Sequence, residues 1–313
     1  MAAGAKPQIA CIGAAHVDRI ARCAGAVVWH SSNPVSVAAA HGGVARNIAA
    51  NLALLECDVT LASAVGDDAD GRAVVATLRA LGVETSHMLT CPGTPTASYT
   101  AVLGNEGELE IGLADMAIYD SLTPDHCARL GQDLASHALW LADANLAGAS
   151  LAALAGAGPH AIYGAAVSPA KAPRLEAAYG RLAGVFANRA EAAVLSGQTI
   201  DSAADALAAG AALRDRGAGT VFITLGEHGA VVVGNGVAEA IDNPPTVLRD
   251  ANGAGDAFAA GALDAIARGG GLRHAAIQGL ALASLSAEED GPVARFLDAG
   301  RLAERAAQIG QAA

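Results

Sequence analysis

Aromatic residues are scarce in this chain. Two Trp, four Tyr and four Phe make up 3% of 313 residues, while apolar residues as a whole make up 53%. The core must therefore be built from many small aliphatic side chains packed closely. Basic charge is also short: 19 Lys and Arg face 31 Asp and Glu, a formal net charge of −12. That balance argues against a nucleic-acid backbone or an anionic membrane as partner. It does not preclude a nucleotide, because Mg²⁺ and backbone amides supply local positive charge. The five cysteines (Cys11, Cys23, Cys57, Cys91, Cys127) form no Cys-x-x-Cys pair, so neither a zinc site nor a disulfide framework is indicated. No apolar run reaches the length of a membrane span, and Met1–Pro7 is too short and interrupted for a signal peptide. A soluble cytoplasmic protein is expected. The histidines lack metal spacing, and Ser98, Ser168 and Ser196 lack a nucleophile-elbow context. The glycine loops match neither a P-loop nor a dinucleotide fingerprint after the first strand, which disfavours a P-loop ATPase and a conventional NAD enzyme.

What the chain does have is one dense stretch near its C-terminal end, Asp250-Ala251-Asn252-Gly253-Ala254-Gly255-Asp256, followed by the apolar run Ala257–Leu263. It reads as a tight loop entering a helix. Glycines let the backbone turn sharply and a ligand come close, and a helix start offers unpaired N–H groups to an anion. Asp256, in the first turn, is placed either to accept a proton from a hydroxyl held against that anion hole or simply to cap the helix. The first option is phosphoryl transfer to an alcohol. An Asp with an ordinary pKa near ~4, favoured in its ionised form by the helix start, would be a ready but weak base.

The rest of the chain alternates short apolar runs with helical segments. Runs at Gln8–Gly13, Val59–Val65, Leu139–Ala142, Ala161–Val167, Gly184–Ala187 and Thr220–Leu225 each end in glycine or polar residues. This predicts an α/β fold, a doubly wound, mostly parallel sheet flanked by helices with its site along one edge. Asp18 follows the first strand on that side. Two strand-rich stretches interrupt the pattern. In Ala24–Ala40, Val27, Val28, Val35 and Val37 surround a turn at Ser31–Pro34. Ala97–Leu103 and Glu108–Leu113 flank the turn Gly104–Gly107. Together, over roughly 22–41 and 95–117, they predict a small β-sheet lid on a single domain spanning 1–313.

Three further motifs have open local readings. Gly42-Gly43 opens a helix carrying Asn47, either to present amides to a polyol or as a bend against the sheet. Asn188-x-x-Glu191 fits a capping pair as well as a pair holding Mg²⁺-bound water and phosphate. Thr224-Leu225-Gly226-Glu227-His228-Gly229 fits a phosphate-binding turn or a plain hairpin. The acidic run Gly66–Gly71 lacks the ligand spacing of a calcium loop and reads as a helix cap.

Taken in order, these motifs resemble the ribokinase-like family of sugar and nucleoside kinases over nearly the whole chain. Within it the likeness runs to the pseudouridine-kinase subgroup. The stretches that carry it include Ser32-Asn33-Pro34, Gly42–Ala49, Thr96–Tyr99, Asn105–Glu108, Ala114–Ile118 and Val167–Lys171. The resemblance implies ATP-dependent phosphorylation of a nucleoside 5′-hydroxyl. It gives Asp256 as base and the amides of Gly253, Ala254 and Gly255 as anion hole. Asp18, Gly42, Gly43 and Asn47 would hold the ribose, with Ser32, Ser98, Asp115 and Lys171 toward the base or lid. Asn188, Thr224, Gly226, Gly229 and Asn252 would serve the nucleotide, and Glu191 would hold Mg²⁺ through water. A monovalent cation such as K⁺ and a homodimer through exposed lid edges are also implied. Two departures stand out: Ala165-Ala166 replaces the family's usual acidic residue and proline, and Asn252 its usual threonine.

Overall fold

The computed structural model describes residues 6–137, 139–158, 160–294 and 297–311. Its main sheet has nine strands: β1 (Gln8–Ile12), β4 (Asp58–Gly66), β5 (Met88–Cys91), β8 (Leu139–Asp143), β9 (Ala161–Ala165), β10 (Leu182–Asn188), β11 (Thr220–Thr224), β12 (Ala230–Gly234) and β13 (Val237–Ile241). Their order is β13-β12-β11-β10-β9-β8-β1-β4-β5. The pairings from β5 to β11 are parallel, and β12 and β13 close the far edge antiparallel. The expected doubly wound α/β sheet is thus present. The short edge strand β5 and the terminal β13 lie outside the strands read from the sequence. Among the described residues no helix is long and apolar enough to cross a membrane.

Strand alternation feeds two cores. Ile9 and Cys11 of β1 join one cluster with Leu52 of α1 (Val44–Leu54), Leu78 of α2 (Ala69–Ala80) and Leu302 of α9 (Ala299–Gln311). The intervening Ala10 and Ile12 join the other, with Leu130 of α3 (Pro124–Asp133), Leu154 of α4 (Gly148–Gly156), Leu195 of α5 (Arg189–Ser196) and Leu213 of α6 (Ala203–Asp215). A strand buried on both faces reads as a continuous apolar run, which is why these strands were legible. The small-residue core takes a specific form where α7 (Ala254–Ala267) crosses α8 (Leu272–Ala287). A Cβ at Gly261 would stand 2.6 Å from the Gln278 carbonyl, and one at Gly279 would stand 2.8 Å from that of Phe258. The two backbones approach too closely for any side chain at these points.

The second sheet has the order β3-β2-β6-β7, from β2 (His16–Cys23), β3 (Val35–Gly42), β6 (Ser98–Leu103) and β7 (Leu109–Asp115). It is the small sheet expected as a lid, but its first half differs from the expectation. Strand β2 begins at His16, so Asp18 lies within the lid and not just past a main-sheet strand. Val27 and Val28 fall in the loop 24–34, not in a strand. The reason is local: Asn33 takes the backbone hydrogen bonds that a strand partner would need. Its Oδ1 accepts from Val28 N–H at 2.8 Å, and its Nδ2 donates to Val28 C=O at 3.0 Å. The second hairpin forms as expected with its turn at Gly104–Gly107, and its β6–β7 pairing shifts register between Val102 and Leu103.

Candidate active site

Helix α7 starts at Gly253, in the left-handed region at φ 78°, where a Cβ would stand 2.4 Å from Pro292. Only glycine makes this entry, and it sets Asp256 in the first turn. Asn47 Nδ2, from α1, donates to Asp256 Oδ2 at 2.9 Å. Part of Asp256 meets solvent, yet its carboxyl is enclosed by protein. Burial, with the negative charges of Asp143, Glu191 and Asp18, pushes its pKa up to about 7 against the downward pull of the Asn47 hydrogen bond. The expectation of an Asp with an ordinary or lowered pKa is therefore corrected. The helix start is outweighed by enclosure and three neighbouring carboxylates.

Two adjoining cavities lie at this helix start, one of them lined by the carboxylate. One, of about 340 Å³, is lined by Asp256, Gly253, Gly255, Asn252, Asn188, Glu191 and Thr224. The other, of about 730 Å³, shares Asn188, Thr224, Gly255 and Phe258 with it and continues past Gly226, Gly229 and Ala254 to Leu248 and Leu280. The smaller is polar around a helix start, and the larger ends among aliphatic side chains. Of the three amides expected to form an anion hole, that of Ala254 donates to the Ala251 carbonyl at 3.2 Å. Gly253 and Gly255 are the two that line the smaller cavity. The Asn188–Glu191 pair is a complete capping box. Glu191 N–H donates to Asn188 Oδ1 at 2.9 Å and Asn188 N–H to Glu191 Oε2 at 2.8 Å. Burial raises the Glu191 pKa. The residues of the cap also form part of the wall of the smaller cavity. Likewise Thr224–Gly229 is both the β11–β12 hairpin turn and a wall of the larger cavity.

On the side expected to hold the acceptor, the Asp18 carboxylate lies against Gly42. A Cβ there would stand 1.9 Å from Asp18 Oδ2, so glycine is required for the carboxylate to hold this place. Gly43 is the N-cap of α1 at φ 104° and supplies no capping side chain. That role falls to Asp143, at the end of β8 and fully buried. Its Oδ2 accepts from Ala14 N–H at 2.9 Å and Ala45 N–H at 3.0 Å, and its Oδ1 from Asn145 N–H at 2.9 Å. Burial raises its pKa against these three bonds. Asp143 thus ties the end of β1, the start of α1 and the end of β8 into one rim. Sequence reading missed it because a lone Asp before Ala-Asn has no local mark.

The structure separates the other expected acceptor residues. Strand register pairs Val17 with Ser98 and Ser98 with Asp115, while Asp18 pairs with Tyr99 and Tyr99 with Ala114. Alternation therefore turns Ser98 and Asp115 to the face opposite Asp18, and Tyr99 shares the Asp18 face. Ser32 sits exposed in the loop 24–34. Lys171 lies at the main-sheet rim, where its Nζ donates to Asn145 Oδ1 at 2.5 Å, and burial lowers its pKa. Among the described residues no group of three or more His, Cys, Asp or Glu forms a metal cage. The donor set instead suits an ion that keeps its waters and binds through one carboxylate and phosphate oxygens, as Mg²⁺ does.

A lidded α/β sheet with a glycine-opened helix presenting a carboxylate between an acceptor rim and a nucleotide-sized cavity is the architecture of a sugar or nucleoside kinase. Residues 6–298 match the pfkB family of carbohydrate kinases, and the chain belongs to that family. It is 30% identical over 259 residues to a pseudouridine kinase of Escherichia coli (strain K12), covering 82% of each chain. Among solved structures, a carbohydrate kinase from Agrobacterium tumefaciens superposes with a TM-score of 0.86 at 31% identity, over 97% of this chain and 98% of that one. A ribokinase from Arabidopsis thaliana, complexed with ribose and ATP, superposes at 0.86 with 18% identity, over 96% and 99%.

Proposed function

We propose that this chain transfers the γ-phosphoryl group of ATP to the 5′-hydroxyl of pseudouridine, giving ADP and pseudouridine 5′-phosphate. The observation that carries the phosphotransfer is the enclosed Asp256 carboxylate at the α7 start, flanked by the Gly253 and Gly255 amides and facing the cavity lined by Asn188, Glu191 and Thr224. The acceptor lies toward Asp18, Gly42, Gly43 and Asn47. Its 5′-oxygen forms the new P–O bond as the bond to the β-phosphate oxygen breaks. The hydroxyl proton passes to Asp256, whose raised pKa suits a group that must take a proton near neutrality. The amides of Gly253 and Gly255 meet the charge on the transferring group. Thr224, Gly226 and Gly229 line the nucleotide end. Mg²⁺, held through water by Glu191 beside Asn188, would offset phosphate charge.

The choice of pseudouridine is supported by the likeness to the Escherichia coli enzyme, and that of ATP by the ribokinase complex. The test is ADP release measured across pseudouridine, uridine, adenosine, inosine, cytidine and free ribose. Highest kcat/KM on pseudouridine is expected. A preference for any other acceptor removes the specific substrate and keeps the kinase, and no ADP release with any of them removes the kinase. Association of two copies through the lid is part of the proposal, supported by its β3 and β7 edges and by Val37 and Leu113, which are 60% and 56% exposed. Sedimentation at micromolar concentration decides it.

A further inference from the structure

We infer that His16 is a positioning residue for the acceptor, orienting Asp18 through a one-way hydrogen-bond relay anchored in the body of the protein. The inference rests on the kinase reading above for the role of Asp18, but its geometry stands apart from it. His16 is the first residue of β2, opposite Gly42 and nearly buried. Its Nε2 lies 3.1 Å from Asp18 Oδ1 and its Nδ1 3.3 Å from the Tyr119 hydroxyl.

The carboxylate partner fixes the direction of the bond to Asp18. A carboxylate accepts and does not donate, so Nε2 must carry the ring proton. In the neutral ring Nδ1 then holds a lone pair and takes the hydroxyl hydrogen of Tyr119. The relay runs from Tyr119 O–H to His16 Nδ1, and from His16 Nε2–H to Asp18 Oδ1. Reversing the bond to Asp18 would set a ring lone pair against a carboxylate oxygen.

The anchor is rigid. Tyr119 is 3% exposed, in the 3-10 turn Ala117–Ser121 that returns the chain from β7 to the body, and its ring packs with Ile118 and Leu122. Its hydroxyl cannot swing without opening that cluster. His16 therefore holds Oδ1 of Asp18 from the buried side. Oδ2 remains over Gly42, where the missing Cβ leaves room for it, as the oxygen that meets an acceptor hydroxyl. The device lets one short carboxylate at a lid root keep a single orientation although lid strands are otherwise open to solvent.

The test has two readouts. In protein labelled with ¹⁵N at histidine, the neutral form of the His16 ring is expected to carry its proton at Nε2, with its Nδ1 signal displaced in Tyr119→Phe. In steady-state assays, His16→Leu is expected to raise KM for the nucleoside roughly ten- to hundredfold, the range for a hydrogen bond to a charged group, with KM for ATP unchanged. His16→Gln, whose amide can donate to Asp18, is expected to recover most of that loss. A neutral ring that carries its proton at Nδ1 in the unmodified protein overturns the relay. So does an unchanged nucleoside KM in a folded His16→Leu protein. The tautomer is read without turnover, so it decides the relay even if the unmodified protein released ADP with no acceptor, an outcome that would remove the kinase reading instead.

Discussion

Asn47 Nδ2 donates to Asp256 Oδ2 at 2.9 Å, linking residues 209 positions apart, one on α1 and one on α7. The bond opposes the burial and charge that raise the Asp256 pKa, so it tunes the proposed base as well as placing it. With the raised value near 7, Asp256 is protonated and inactive as a base below that pH. We expect kcat/KM for the nucleoside to fall with unit slope below about 7. In Asn47→Ala, which removes the opposing bond, this acid limb should move to higher pH. A profile flat from about pH 6 to 8, one unit either side of that value, would exclude Asp256 as the titrating base.

Asp256→Asn should keep nucleoside binding in calorimetry while turnover falls by roughly a hundred- to ten-thousandfold. Near-normal turnover would remove the assigned role.

The same substitution should stabilise the protein, because the enclosed carboxylate costs folding free energy when ionised. The sign follows from a folded pKa of about 7 against an ordinary 3.8. Below the lower value both states are protonated and no penalty exists. Between the two values the folded state alone holds the proton, and the penalty grows as pH rises. Above about 7 it is complete. Asp256→Asn should therefore unfold at a higher temperature than the parent at pH 8, and the gap should vanish near pH 4. A gap independent of pH would contradict the shift.

Asp143→Ala removes the acceptor for three amides, of Ala14, Ala45 and Asn145, at a fully buried site. Stranding buried donors costs about 1–3 kcal/mol each before relaxation. A loss of at least about 3 kcal/mol in urea unfolding is expected, making this the most damaging single carboxylate deletion of those named here.

Two glycines of the site should respond differently to alanine. At Gly255 a Cβ meets nothing within 4 Å, so Gly255→Ala should melt like the parent. Its methyl group projects into the space beside Asp256, and KM for ATP should rise by about tenfold. At Gly42 the Cβ displaces the Asp18 carboxylate, so Gly42→Ala should raise KM for the nucleoside instead. Equal effects of both on the two substrates would undo the division into a donor and an acceptor side.

Sequence alone determined the layered α/β fold, because strands buried on both faces are unbroken apolar runs and each ends in glycine or polar residues before a helix. It also determined the glycine-opened start of α7 with Asp256 in its first turn, since that motif is local. The capping box at Asn188 and Glu191 was readable for the same reason. Only the tertiary structure decided which residues meet them. Asp143 caps α1 through the amide of Ala45, 98 residues away, a relation no local pattern records. Tyr99 rather than Ser98 shares a face with Asp18, because a one-residue difference in strand register reverses every side chain. His16 gains its role from Tyr119, 103 positions distant. The pKa of Asp256 was likewise beyond the sequence. A helix start lowers a carboxylate's pKa, but enclosure and the charges of Asp143, Glu191 and Asp18 raise it further, and those exist only once the chain has folded around it.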